Sequence, residues 1–110
     1  MSKPSDDILQ KLWDLAQARK SADPDASYMA KLHHRGVEKI AQKVGEEAVE
    51  SVIAAMKGDD QELVSEAADL LFHLMVLLAH KDIAPDAVWA ELERREGTSG
   101  IAEKQARAKD

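Results

Sequence analysis

The chain has 110 residues, a formal charge of −6 and no cysteine. That length bounds it to one domain, over residues 1–110, and the missing cysteine excludes disulfides, thiolate metal sites and cysteine nucleophiles. The acidic balance argues against nucleic acid as a partner; with no signal peptide and no apolar run long enough for a membrane, the expected compartment is the cytoplasm.

Ala and Leu are abundant and no strand-like alternation occurs, so the chain predicts an all-α fold, a bundle of about four to five helices. Pro4-Ser5-Asp6-Asp7 opens the first, with Ser5 as N-cap and Asp6 and Asp7 in the first turn. Ile8, Leu9, Leu12, Trp13, Leu15 and Ala16 form its apolar face, Arg19 and Lys20 close it, and Pro24 disfavours helix at Asp23. A short helix capped by Ser27 runs to His34 or Arg35 and stops at Gly36. His33 and His34 are expected on its exposed surface.

Val37 to Lys57 predicts a long helix. Val37, Ile40, Ala41, Val44, Ala48, Val49, Val52, Ile53 and Met56 give it a broad apolar arc. Lys39, Lys43, Glu46, Glu47 and Glu50 share one sector between Ile40 and Ile53. Gly45 sits mid-helix at a cost of about 1 kcal/mol against Ala, which predicts close approach of another backbone or a ligand.

Gly58 ends this helix, and Asp59 with Glu62 starts the next in the manner of a capping box. From Leu63 to Ala79 that helix is apolar nearly all round, which predicts a central position and a homodimer. Glu62, Glu66, Asp69 and His73 form its one polar stripe, expected to face Glu47 and Glu50. His73 is expected to be a hydrogen-bonded core histidine rather than a ligand. Pro85 opens a further helix with Ala87, Val88 and Leu92 inward and Arg94 and Arg95 at its end. Gly97-Thr98-Ser99-Gly100-Ile101 reads as a loop, and the charged tail from about residue 103 has the composition of a disordered segment.

Two acidic motifs organise the chemistry. Glu47 and Glu50, and likewise Glu66 and Asp69, are three apart and share a helix face. Like charges so placed repel, and apolar surroundings raise the cost of ionising them. A solvated face partly neutralised by Lys39 and Lys43 is the plain explanation. A hard divalent cation, Mg²⁺ with Mn²⁺ as substitute, suits the second motif better, because that motif lies on an otherwise apolar helix; Glu47, Glu50, Glu66 and Asp69 would hold it. A di-iron bundle would need Glu-x-x-His on two helices, and no His here follows a Glu by three. Glu46 could ligate, polarise a water or cover the surface. Beside a metal, Lys31, Lys39 and Lys43 become candidates for phosphate contacts. The Gly97–Gly100 segment, between Arg94, Arg95, Lys104 and Arg107, could wrap a phosphate through backbone N–H groups.

Glu47-x-x-Glu50 followed by Glu66-x-x-Asp69 resembles the signature of the all-α nucleoside triphosphate pyrophosphohydrolases, the MazG-like superfamily. Within it, Ser27–Leu32, Lys43–Glu50 and Gly97–Lys104 resemble the phosphoribosyl-ATP pyrophosphohydrolase family of histidine biosynthesis, and the likeness runs from about Ile8 to Arg107. Glu96 departs from the family pattern, where an aromatic residue or His is more usual. The resemblance implies hydrolysis of phosphoribosyl-ATP to phosphoribosyl-AMP and pyrophosphate, with Mg²⁺, in a helical homodimer. It implies catalytic roles for Glu46 and Glu47, with Glu46 orienting the water. It further implies substrate contacts from Lys31, Lys43, Arg95, Ser99, Gly100 and Lys104. Some relatives carry a fused phosphoribosyl-AMP cyclohydrolase; here that neighbour is expected to be a separate protein. A housecleaning hydrolase of other nucleotides, and a non-enzymatic helical module whose acidic stripes dock a partner, are the alternatives.

Overall fold

The structure, a computed structural model, describes residues 7–97 and 100–108, and among them finds six α-helices and no strand. The first, α1 (Ile8–Ala18), passes into a 3-10 turn at Arg19–Ser21. Its N-cap position is Asp7, which makes no side-chain cap bond; instead Lys11 Nζ lies 3.5 Å from Asp7 Oδ1. Ser5 lies outside the described residues. The break around Pro24 is an Asp turn, the Asp25 N–H donating to Asp23 Oδ1 at 2.9 Å.

The second helix, α2 (Tyr28–Arg35), starts where Ser27 Oγ accepts the Ala30 N–H at 3.2 Å, a bond of the kind worth about 1 kcal/mol. Gly36 alone joins it to α3 (Val37–Lys57). Its φ of +94° is one that residues with a Cβ rarely adopt. Gly58 closes α3 in the left-handed region, and Asp59 then caps α4 (Asp60–His80), accepting the Glu62 N–H at 3.0 Å. Only half of the capping box forms, because the Glu62 carboxylate accepts from Lys57 Nζ at 3.0 Å instead of reaching back to the cap.

The central helix is α4. It forms a hairpin with α3 and packs against α1 and α2. Ala16, Met29, Leu32, Ile40, Val76 and Ala79 form the buried core, with Leu12, Trp13, Phe72 and Leu77 packed around it. Ile40 and Val76 are fully buried, each worth about 1.5–3 kcal/mol. At the far end of α4, polar ties join α1 to the turn that follows. Gln17 Nε2 donates to the Ala79 carbonyl at 3.0 Å, Lys20 Nζ to Asp82 Oδ1 at 2.6 Å, and Trp13 Nε1 to the Ile83 carbonyl at 2.9 Å. The fifth helix, α5 (Pro85–Arg95), begins with Pro85 buried and packs against α1.

Several expectations are corrected. The segment Gly100–Ala108 is a helix, α6, where a loop start and a disorder-prone tail were expected; its composition is rich in good helix formers. Ala87 and Leu92 are exposed rather than inward, so α5 is covered on less of its surface than its apolar positions suggest. By length and mean hydropathy alone α4, at 21 residues, could cross a membrane, but Glu66, Asp69 and His73 interrupt its apolar run, and here it is packed by its neighbours. Outside the neighbouring turns of α3 itself, no atom lies within 4 Å of where a Gly45 side chain would begin, so no other backbone approaches it among the described residues. The apolar arc of α3 is only partly covered: Val49, Val52, Ile53 and Met56 are 58, 62, 50 and 83% exposed.

His33 is half-buried rather than exposed. Its Nε2–H donates to the Ala16 carbonyl at 2.9 Å, so its Nδ1 is left to accept from His80 Nδ1, also at 2.9 Å. The two rings stack 5.2 Å apart. Burial, opposed by the Ala16 carbonyl and assisted by His80 and Lys20, holds the His33 pKa below its ordinary value. His34 is exposed, as expected.

Candidate metal centre

Helical periodicity gathers the acidic motifs. Glu47 on α3 and Glu66 and Asp69 on α4 bring carboxylate oxygens within 4.8 Å of one another. Glu50, one turn beyond Glu47 on α3, presses on Glu66 together with Glu47. Sharing a proton first with the Glu50 carboxyl and then with Glu47, and partly desolvated, Glu66 has its pKa raised to about 7. Glu47 is only 7% exposed. With the carboxyls ionised, Glu47 Oε2 and Glu66 Oε2 are buried and find no hydrogen-bond donor among the described residues. An ionised carboxylate can only accept, so these oxygens call for a proton or a cation.

The donor set fits Mg²⁺. All its atoms are hard oxygens, and a Mg²⁺ with bonds of about 2.1 Å needs opposed oxygens about 4.2 Å apart, only slightly closer than the 4.8 Å spread seen here. Lys43 is the cation beside the cluster. Its Nζ lies 3.3 Å from Glu46 Oε2 and 3.6 Å from Glu47 Oε1, and the bond to Glu46 above all holds its pKa above the ordinary lysine value. One such contact leaves the four carboxylates far from neutral.

Glu46 stands on the outer flank. It accepts from Gln42 Nε2 at 2.7 Å and from Lys43, and these two bonds, in that order, hold its pKa below the usual carboxylate range. Glu62, at the other end of the expected stripe, is engaged by Lys57 at the hairpin turn. His73, 5% exposed, is a satisfied core histidine, as expected. Its Nδ1–H donates to the Asp69 carbonyl at 2.7 Å, and its Nε2 lies 2.8 Å from the Tyr28 hydroxyl.

The expected substrate residues are spread more widely. Lys31 is exposed on α2. Arg95 donates to Glu91 Oε1 at 3.2 Å on its own helix, an acceptor that Arg94 also grips, so that Glu91 is held down to about 2. Gly100 opens α6 and Lys104 is exposed on it, while Ser99 lies outside the described residues. Gln42 escaped the sequence reading, and Tyr28 entered it only within the Ser27–Leu32 stretch, with no role of its own. Gln42 precedes Glu46 by one helical turn, a spacing at which an amide reaches a carboxylate.

Comparison with known proteins bears on the same residues. The family model of phosphoribosyl-ATP pyrophosphohydrolase matches residues 9–96, which includes all four carboxylates and stops just short of the Gly97–Lys104 segment. The chain is similar to the phosphoribosyl-ATP pyrophosphatase of Azospirillum brasilense, 63% identical over 91% of this chain and 90% of the relative. It is likewise similar to those of Trichlorobacter lovleyi, 60% identical over 91% and 93%, and Novosphingobium aromaticivorans, 61% identical over 93% and 95%.

Proposed function

The chain belongs to the phosphoribosyl-ATP pyrophosphohydrolase family, and we propose that it hydrolyses phosphoribosyl-ATP to phosphoribosyl-AMP and pyrophosphate with a divalent cation held between α3 and α4. The observation that carries the metal assignment is the pair of buried, unpartnered oxygens on Glu47 and Glu66, within a cluster that Asp69 completes. Glu47, Glu50, Glu66 and Asp69 would hold Mg²⁺, or Mn²⁺ in its place. When bound, such a cation neutralises phosphate oxygens and lowers the pKa of water.

The chain's own groups do the rest. Glu46, kept ionised by Gln42 and Lys43, accepts a hydrogen bond from the attacking water and orients it. Glu47 combines a ligand's role with that of fixing the Lys43 ammonium. Lys43 and Lys31 bind phosphate oxygens, and Arg95, Ser99, Gly100 and Lys104 extend that grip from the end of α5 into α6. The water oxygen joins phosphorus as the phosphoanhydride bond breaks, its protons pass to the phosphate oxygens and solvent, and phosphoribosyl-AMP and pyrophosphate are released. The enzyme works as a cytoplasmic homodimer, and phosphoribosyl-AMP is the substrate left for a cyclohydrolase.

Incubation with phosphoribosyl-ATP tests this directly. Pyrophosphate should appear with Mg²⁺ or Mn²⁺ and stop on chelation. Undiminished turnover in excess chelator would remove the metal from the scheme, and no turnover with any divalent cation would remove the reaction.

A further inference from the structure

Tyr28 stands at the meeting of α2, α4 and the carboxylate cluster. The Ser27 cap fixes the turn that carries it. Its ring stacks on Phe72, with centroids 6.0 Å apart at 19°, and meets the His73 ring edge-on at 5.7 Å and 86°. A carbonyl only accepts, so the 2.7 Å contact between His73 Nδ1 and Asp69 O places the ring proton on Nδ1. His73 Nε2 then carries a lone pair, and the Tyr28 hydroxyl must donate to it across 2.8 Å. The result is a directional chain from phenol to imidazole to the backbone of Asp69. Lys43, Glu47, Asp69 and Glu46 are the charges that the phenol feels.

We propose that Tyr28 and His73 are positioning residues for the hydrolysis: their hydrogen bond fixes α2, and with it Lys31, against the carboxylate face of α4. Tyr28 and Lys31 are three apart and so share one face of α2. An eight-residue helix has little order of its own, so the placement of a phosphate-binding lysine on it depends on what ties it down. His73 therefore holds a partner from another helix instead of a metal, which accounts for a buried polar group on an apolar helix.

The inference rests on the hydrolytic reading and is tested separately from it, in the full chain with phosphoribosyl-ATP and saturating Mg²⁺. Tyr28→Phe keeps the stack on Phe72 and loses only the hydroxyl. It should raise KM about tenfold, as expected for a displaced binding group, with kcat within about twofold and the Mg²⁺-induced rise in Tm unchanged. His73→Gln, whose amide oxygen can still accept, should retain most of the parent's KM, while His73→Leu should match Tyr28→Phe. In the double variant Tyr28→Phe/Lys31→Ala, KM should be no higher than in Lys31→Ala alone, because one effect acts through the other. An unchanged KM in Tyr28→Phe, a loss of Tm alone, additive effects in the double variant, or a His73→Gln as impaired as His73→Leu would each overturn the proposal. A parent chain that releases no pyrophosphate overturns the hydrolytic reading instead.

Discussion

The Glu66 carboxyl, pressed by Glu50 and Glu47, keeps a proton up to about pH 7, which is the signature of a site with more negative charge than its own protein compensates. Replacing it by Gln keeps the shape and supplies an N–H donor to those two neighbours. Without metal at pH 8, Glu66→Gln should therefore melt at or above the parent temperature, as residues strained for function often allow. Added Mg²⁺ should raise its Tm less than the parent's, and pyrophosphate release should fall about a hundredfold or more. Paired melts with and without Mg²⁺, alongside the hydrolysis assay, check all three. A variant that is clearly less stable without metal yet keeps the full Mg²⁺ response would make Glu66 a structural residue. That Glu47 and Glu50 share one face and Glu66 and Asp69 another was readable from sequence, because helical spacing fixes which side chains on one helix share a face, and the turn at Gly58 and Asp59 folds α4 back on α3 so that the two faces meet. The Tyr28–His73 and His33–His80 pairs were not, because nothing local says which neighbouring helix a side chain will meet.

Among the helices, α2 is docked on α4 by those two pairs, and the His33–His80 pair responds to pH. His33 can take a second ring proton only by giving up the bond that it accepts from His80, next to the Lys20 ammonium that Asp82 holds. Its folded pKa lies below the ordinary 6.5, so between the two values the unfolded chain binds more protons. The stability it contributes is complete above pH 6.5 and is lost as the pH falls through and below that value. Glu66, raised instead, works in the opposite sense across part of the same range, so the quantity to measure is the difference between parent and His33→Gln. In thermal melts from pH 8 to 5, the parent's Tm should fall relative to the variant's below about pH 6.5. Parallel curves would show that His33 titrates alike in both states. The boundaries of α3 and α4 followed from Gly58 and Asp59, whose chemistry is local. The α6 helix was missed because charge and glycine dominated the reading of its start.

For the bundle as a whole, the exposed apolar surface decides assembly. Val49, Val52, Ile53 and Met56 recur at the spacing of one helix face, and Val64, Ala68 and Leu71 do the same on α4; all seven are exposed. Two such stripes on neighbouring helices make a surface that monomers seldom leave in water. Light scattering should give a dimer mass at micromolar concentration, and Ile53→Asp should give a monomer that melts at a lower temperature. A monomeric parent would refute the dimer.

Gly36 has a consequence for how order spreads through the molecule. A single residue joins α2 to α3, so the short helix has no slack in which to fold by itself. Its own hydrogen bonds are too few to hold it, and its side-chain fasteners end on α4 and, through Ala16, on α1. The α2 segment should thus open and close together with the hairpin as one cooperative unit. Lys31 then reaches its working place only in molecules whose hairpin is already built, and the same equilibrium that measures folding also counts the chains ready to receive a triphosphate.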